Sequence, residues 1–340
     1  MLQPIAIFLL LLICGSNGRI SAPEDGVLDS DNSSSPKTYQ TIIAAGFGGA
    51  ATLSAGDTEW TALPAMKRSQ LIGPSSACVN GKIYVMGGYE VDADSSQTEV
   101  EVYDFSTKTW SMATPLPEPT FSNGGTVYND GKLYLLGSSN MLIYDIATNS
   151  WSAVDVGLQN GTRYYTFAII DKTINLLIYD IAANSWSTIN ARLLDANHYH
   201  TIAITDRTTY ACDWEAHCWK SDLKKNQWSD IPSMTNISYF PSIIALNGYI
   251  YSIGGRDDQF KEVAYAEVYN PSTGSWSVIE SMKEPRNELA LAVMAGKIFA
   301  IGGEYFGTTV EIYDPTTNRW TNGPALHGVI ATSAASCINT

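Results

Sequence analysis

Tryptophan recurs along this chain at a nearly fixed interval, and a fixed interval restricts the fold before any single element is assigned. Trp60, Trp110, Trp151, Trp186, Trp228, Trp276 and Trp320 are separated by 50, 41, 35, 42, 48 and 44 residues, while Trp214 and Trp219 fall outside the frame. Tyr103, Tyr144, Tyr179, Tyr269 and Tyr313 each stand seven residues ahead of a frame tryptophan, and all but Tyr269 are followed by aspartate. A polar stretch such as Ser106-Thr107-Lys108-Thr109 then leads into the tryptophan, which is the chemistry of strand, turn, strand. A third marker lies upstream, where apolar strands end in the glycine pairs Gly87-Gly88, Gly254-Gly255 and Gly302-Gly303. A residue without Cβ suits a place where sheets crowd around an axis.

Ahead of the second strands stand Asn80-Gly81, Asp130-Gly131, Asn247-Gly248 and Ala295-Gly296, and Asn-Gly or Asp-Gly favours a tight hairpin. Each repeat therefore reads as strand, tight turn, strand ending in glycine, variable loop, strand with Tyr-Asp, polar turn, strand with Trp. This order and spacing resembles the kelch repeat over about residues 41–340. The resemblance implies an all-β, kelch-type β-propeller of four-stranded blades, with the frame Tyr and Trp residues in its core. Counting repeats gives seven blades, with six as the alternative if a degenerate repeat is absorbed elsewhere. Residues 41–49 supply a glycine-ended strand with no first strand before it. At the other end, Ser333-Ala334-Ala335-Ser336-Cys337-Ile338-Asn339 matches Pro74-Ser75-Ser76-Ala77-Cys78-Val79-Asn80. Pairing of the C-terminal strand with the N-terminal blade is thus expected to close the ring, since an open array leaves sheet edges exposed. Three repeats are degenerate. The one ending at Trp186 lacks its glycine pair, the one ending at Trp151 has Gly137-Ser138, and the one ending at Trp228 has Ser221-Asp222 where Tyr-Asp is expected.

Residues 5–13 form an apolar run too short to cross a bilayer comfortably, and Ser16 and Gly18 supply small side chains ahead of Arg19. Residues 1–18 are expected to be a signal peptide, with a retained anchor as the alternative. Residues 19–38, rich in Ser, Asp and Pro, are expected to be a flexible leader, and residues 39–340 the propeller. The mature chain is then a secreted, extracellular protein with no membrane span. Its 20 Lys and Arg against 34 Asp and Glu give a formal charge of −14. That charge repels polyanions and speaks against nucleic acid as a partner.

Cysteine usage agrees with export. Cys212 and Cys218 flank a short hairpin, where a disulfide is expected; two half-buried thiols, or a zinc site completed by His217, are the alternatives. Cys78 and Cys337 fall on equivalent inner strands of neighbouring blades and are expected to be small buried thiols, too far apart to bridge. Asn32, Asn160 and Asn236 begin glycosylation sequons, which suits a secreted glycoprotein.

No Gly-x-Ser-x-Gly, phosphate loop, His-Glu-x-x-His or paired Cys-x-x-Cys occurs, so neither catalytic residues nor a cofactor are expected. His198 and His200 alternate onto one face of a strand without a clear third ligand, and no metal is expected. The segments leading into the inner strands are Phe121-Ser122-Asn123, Arg163-Tyr164-Tyr165, His198-Tyr199-His200, Tyr239-Phe240 and Arg286-Asn287. From this aromatic and basic ring, Arg163, Tyr165, His198, His200, Tyr239 and Arg286 form the candidate ligand-binding rim; the competing role for each is packing between blades. Arginine suits a carboxylate and aromatic faces give contact area, so a protein or an acidic or carbohydrate ligand is expected. The leading expectation is a non-enzymatic extracellular binding module. The alternative is a secreted small-molecule enzyme on a kelch-type propeller, such as a sugar epimerase or a copper oxidase resembling galactose oxidase.

Overall fold

The computed structural model describes residues 11–12; 41–155 apart from 69–70, 73, 91, 120–125, 130 and 138–139; 168–170, 173–175, 177–180 and 185–188; and 200–336 apart from 206–207, 214, 223–226, 237–238, 288, 304–306 and 328–329. Among these residues there is no helix. Six antiparallel sheets have four strands each, hydrogen-bonded in chain order. Blade 1 comprises Ser75–Val79, Lys82–Met86, Val100–Asp104 and Thr109–Met112, and blade 2 comprises Val127–Asn129, Lys132–Leu136, Asn140–Asp145 and Ser150–Asp155. Blade 3 comprises Ala168–Ile170, Thr173–Asn175, Leu177–Asp180 and Ser185–Thr188, so the repeat without a glycine pair still forms four strands. Blade 4 holds His200–Thr205, Thr208–Asp213, Cys218–Asp222 and Gln227–Asp230. Blade 5 holds Ser242–Leu246, Tyr249–Ile253, Ala266–Asn270 and Ser275–Val278, and blade 6 holds Ala290–Met294, Lys297–Ile301, Val310–Asp314 and Arg319–Asn322.

Six four-stranded blades, not the expected seven, are present. The remaining large sheet differs in make, with five strands in the order Leu11–Leu12, Ile330–Ser336, Thr41–Phe47, Gly49–Ser54, Thr61–Ala62. Leu11–Leu12, expected within a signal peptide, runs parallel to Ile330–Ser336 and adds the fifth strand. The C-terminal strand is antiparallel to Thr41–Phe47, with Ile42 opposite Ser336 and Ile43 opposite Ala335.

The core lies between sheets, because the inner strands of each blade alternate their side chains between two covered faces, whereas the fourth strands are largely exposed apart from their tryptophan. Ile42, Ala44, Leu53 and Trp60 pack with Ala290, Ala292, Phe299 and Val310 of blade 6. Ile43 and Ala45, one residue out of phase, pack with Cys78, Ile83 and Tyr103 of blade 1. The five-stranded sheet is therefore covered on both sides. Similar apolar layers join blade 1 to blade 2, blade 4 to blade 5 and blade 5 to blade 6. The first strand of blade 1 lies against that of blade 2 and against Ile330–Ser336 of the five-stranded sheet, which places these strands on the inner side.

The tryptophan frame acts across these layers. Each described frame tyrosine is cross-strand from its tryptophan, as in Tyr103 with Trp110 and Tyr313 with Trp320, and the rings of those two pairs are 5.3 and 5.1 Å apart. The indole N–H then donates to a carbonyl of the preceding sheet: Trp110 to Pro64 at 2.8 Å, Trp151 to Thr114 at 2.8 Å, Trp276 to Pro232 at 2.9 Å and Trp320 to Glu280 at 2.7 Å. Trp60 makes the same bond to Pro324, at 2.9 Å. In every case the acceptor stands four residues after the preceding frame tryptophan. Burial pushes the Tyr313 phenol up to about 12, so it stays a neutral donor to Asn318 Oδ1 at 2.9 Å.

Candidate functional site

The turns sort the loops onto two ends of the sheets. At one end the first two strands are joined by tight turns whose central residues both have positive φ, such as Asn247 at 52° with Gly248 at 82°, the torsions of a type I′ hairpin. The longer loops between second and third strands open at the other end, together with the segments that arrive from the preceding blade. The glycine pairs sit where these two sets of segments meet. Gly254 has φ 68°, and a Cβ on it would lie 2.4 Å from the Arg286 carbonyl oxygen of the segment leading into blade 6; the Gly255 N–H donates to that same carbonyl at 2.8 Å.

A buried glutamate anchors each of three arriving segments. Glu101 accepts the Lys67 and Arg68 N–H groups at 2.8 and 3.0 Å. Glu267 accepts those of Thr235, at 2.8 Å, and Asn236. Glu311 accepts those of Lys283 and Glu284 at 2.7 and 3.1 Å. A carboxylate that receives two backbone N–H groups fixes the path of a segment that forms no ladder of its own.

On this scaffold the loop end of blade 5 carries an aromatic shelf. Tyr239 and Arg256 exchange backbone hydrogen bonds at 2.7 and 2.8 Å, tying the arriving segment to the 254–265 loop. Asp257 caps that loop, its Oδ1 accepting the Gln259 and Lys261 N–H groups at 2.9 Å each. The cap holds Phe260 at φ 59°, and Phe240 stands at 54°. Left-handed torsions are strained for bulky residues and concentrate where function fixes a side chain. Phe260 stacks on Tyr239 with ring centroids 5.5 Å apart and planes 22° from parallel, yet remains 53% exposed; Tyr265, at the end of the same loop, is 41% exposed. The Glu262 carboxyl at the base of this loop is raised by burial, an effect that Arg256 opposes.

The kelch motif family matches residues 72–117, 238–283 and 285–327. Kelch repeats thus lie in blades 1, 5 and 6, and the chain has the fold of a kelch β-propeller. The three matched stretches are those that contain Glu101, Glu267 and Glu311. Among similar proteins, Kelch-like protein 36 of Mus musculus is 31% identical over 127 residues, which cover 34% of this chain and 21% of that protein. Alpha-scruin of Limulus polyphemus is 31% identical over 127 residues, 35% of this chain and 14% of that protein. Kelch-like protein 21 of Bos taurus is 35% identical over 108 residues, 30% of this chain and 17% of that protein. The matched part thus spans about a fifth or less of the length of these relatives.

Of the expected rim residues, the kelch scaffold brings Tyr239 onto the shelf. Arg286 stands in the neighbouring segment but is only 3% exposed. Its guanidinium donates to the Gly302 carbonyl at 2.7 Å, the Thr309 carbonyl at 3.0 Å and Thr309 Oγ1 at 2.8 Å, and pairs with Glu311 at 3.3 Å. It therefore serves the inside of blade 6. His200 opens a strand of blade 4 opposite Asp213, and its side chain lies outside the described residues, as do Arg163, Tyr165 and His198. Phe260 was not predicted. The signal for it was the Asp257-Asp258-Gln259-Phe260 turn that follows a glycine pair.

Cys212 and Cys218 are cross-strand and joined by a disulfide, which removes both thiols as zinc ligands. His217 lies beside Asp213, 3.4 Å away, and is solvent-exposed. Cys78 is not the free thiol expected: it is disulfide-bonded. Its inner strand lies directly against Ile330–Ser336, a closer approach than blade spacing alone suggested. Asn236 lies half-buried between blades 4 and 5, whereas Asn32 and Asn160 lie outside the described residues. Among the described residues, no group of three His, Cys, Asp or Glu side chains could hold a metal ion, and no helix is long and apolar enough to cross a membrane.

Proposed function

We propose that this kelch propeller is a non-catalytic, extracellular binding scaffold that holds a protein partner on the loop end of its blades, with Tyr239, Phe260 and Tyr265 as the anchor. The observation that carries this reading is the exposed Phe260, held outward by the Asp257 cap and stacked on Tyr239. Aromatic anchors on a rigid base lose little entropy on binding and dominate interface energies. Kelch propellers commonly serve as protein-binding scaffolds, which supports a protein over a small molecule. A carbohydrate is the second reading, favoured by the exposed aromatic ring of Phe260. The carboxylate-binding role expected of Arg286 draws no support from its burial. The enzymatic alternative is not favoured, because the matches are to the kelch motif and to Kelch-like proteins, which supports a binding scaffold.

Closure of the ring belongs to this proposal: the sheet that pairs Ile330–Ser336 with Thr41–Phe47 joins blades 6 and 1, and it keeps these two strands when Leu11–Leu12 leaves with the cleaved segment. It is supported by the pairing of Ile330–Ser336 with Thr41–Phe47 and by the bond from Trp60 to Pro324. Export after cleavage before Arg19, leaving residues 19–38 as a flexible leader, is supported by the apolar run at residues 5–13, the sequons and the disulfides.

The test is capture from an extracellular extract by the mature chain and by its Phe260→Ala, Tyr239→Ala variant, matched in thermal stability. A protein held by the first and lost by the second is the expected result. A partner retained equally by both overturns the placement, and capture of glycans alone in a glycan-array screen shifts the reading to carbohydrate.

A further inference from the structure

The two ends of the blades differ in charge. At the turn end the cross-strand pairs Lys82–Asp104, Lys132–Asp145 and Lys297–Asp314 stand 3.1, 3.9 and 3.0 Å apart and cancel. In the turns between third and fourth strands of blades 1, 2, 5 and 6, Lys108 is the one charged residue. At the loop end the balance is negative. Residues 87–99 of blade 1 carry Glu90, Asp92, Asp94 and Glu99 and neither Lys nor Arg. Arg68 of the arriving segment pairs with Glu90 and Glu99, while Asp92 and Asp94 are exposed. Blade 4 adds Asp213 and Glu215, with His217 3.4 Å from Asp213. The blade 5 loop sets Asp257, Asp258 and Glu262 against Arg256 and Lys261.

These carboxylates sit on a fixed frame. In blade 1, Tyr89–Glu90 pairs with Leu71–Ile72 of the arriving segment and with Ser95–Ser96, forming a small three-stranded sheet. In blade 5 the bridges from Tyr239 to Arg256 and from Arg256 to Glu262 repeat that arrangement beneath the aromatic shelf. Groups held in this way lose little freedom when a partner arrives.

We propose that the partner segment docking on the shelf is cationic, with a Lys or Arg side chain laid against the exposed Phe260 ring and further basic residues drawn to the loop-end carboxylates. This rests on the loop-end reading above and names the chemistry of its partner. An aromatic face attracts a cation through its quadrupole, and the stem of Lys or Arg covers apolar surface at the same time. Asp258, exposed two residues before Phe260, supplies a counter-charge at the shelf itself. Of the two cations in this loop, Arg256 is half-buried and bridged to Glu262, so Lys261 is the exposed one. An acidic segment, the chemistry expected from the sequence, would meet like charge in blades 1, 4 and 5, and Arg286, expected to receive it, is buried in blade 6.

The experiment is fluorescence anisotropy of labelled octa-arginine and octaglutamate peptides titrated with the chain expressed through a secretory route, at low and at physiological ionic strength. Octa-arginine is expected to bind, more weakly as salt rises, and octaglutamate not to bind. Phe260→Ala is expected to weaken octa-arginine about fivefold or more, Asp258→Asn and the Asp92→Asn, Asp94→Asn variant to weaken it, and Lys261→Gln to tighten it. Glu59→Gln, in the turn between Gly49–Ser54 and Thr61–Ala62 at the opposite end, is expected to leave it unchanged. Octaglutamate bound as tightly as octa-arginine, or octa-arginine bound equally by the parent and the Phe260→Ala variant, overturns the proposal. Should Phe260→Ala not fold, Asp258→Asn and Lys261→Gln decide, and no change in either overturns it. Competition separates this proposal from the reading beneath it. A captured protein that is lost on Phe260→Ala but stays bound in excess octa-arginine keeps the loop-end site and removes the cationic segment, whereas a captured protein indifferent to Phe260 removes both.

Discussion

Replacing Glu267 with leucine tests whether the arriving segments are held by buried carboxylates or merely rest on apolar packing. Glu267 is 2% exposed and accepts the backbone N–H groups of Thr235 and Asn236. Leucine fills a similar volume and accepts neither. Leu142 already occupies the same place in blade 2, two residues before the frame tyrosine, and is fully buried there, so packing alone tolerates the change. Two hydrogen bonds to a charged acceptor contribute about 1.5–3 kcal/mol each. Against this stands the desolvation of the carboxylate, which leucine does not bear, and some rehydration of the freed N–H groups. A net loss of about 2–4 kcal/mol is expected, or roughly 3–6 °C in Tm for a chain of this size, followed by tryptophan fluorescence on heating. Glu267→Gln, which keeps one accepting oxygen, should fall between. A leucine variant within about 0.5 kcal/mol of the parent, the range of an ordinary surface substitution, refutes the reasoning and leaves the glutamate without a structural role.

Two further outcomes follow from the Tyr-to-Trp turns. Lys108 has φ 56°, where the equivalent positions hold Asn149 at 51° and Asn318 at 52°; Lys108→Asn should stabilise by about 1 kcal/mol and give the Tyr103 hydroxyl the acceptor that Asn149 gives Tyr144 at 2.6 Å, checked as a rise in Tm. Asp104 is lowered from 3.8 to about 2 by the Ser106 hydroxyl, the Ser106 N–H and Lys82, and Asp314 likewise by the Thr316 hydroxyl, Lys297 and the Thr316 N–H. Because both folded values lie below the unfolded one, their contribution is complete above about pH 4 and is lost as pH falls toward 2. The Asp104→Asn, Asp314→Asn variant should therefore show a flatter stability profile across that window in acid titrations, and an unchanged slope counts against the assignment.

Much of the propeller was legible in the residues because its markers have local causes. The Tyr-to-Trp interval is a hairpin whose ends meet cross-strand, and Asn-Gly or Asp-Gly reports a turn that needs positive φ at both centres. Even the repeat without a glycine pair forms its four strands, since Ile178-Tyr179-Asp180 and Trp186 keep the last hairpin. The site was much less legible. Arg286 has the chemistry of a rim residue, but only its surroundings show that blade 6 consumes its donors, and Phe260 became an anchor through a loop cap with no periodic signature. The glutamates two residues before Tyr103, Tyr269 and Tyr313 were visible as letters, yet their acceptors' role depends on segments more than thirty residues away in two of the three cases.

The sequence by itself determined a chain of repeated four-stranded units, because hairpin turns and two-residue alternation are set by neighbours along the chain. Tertiary structure decided which of those units share a sheet with the chain ends, which cysteines lie close enough to bond, and which charged or aromatic side chains remain on the surface. Those outcomes depend on distances between strands remote in sequence, which are fixed only when the apolar layers between blades close and exclude water.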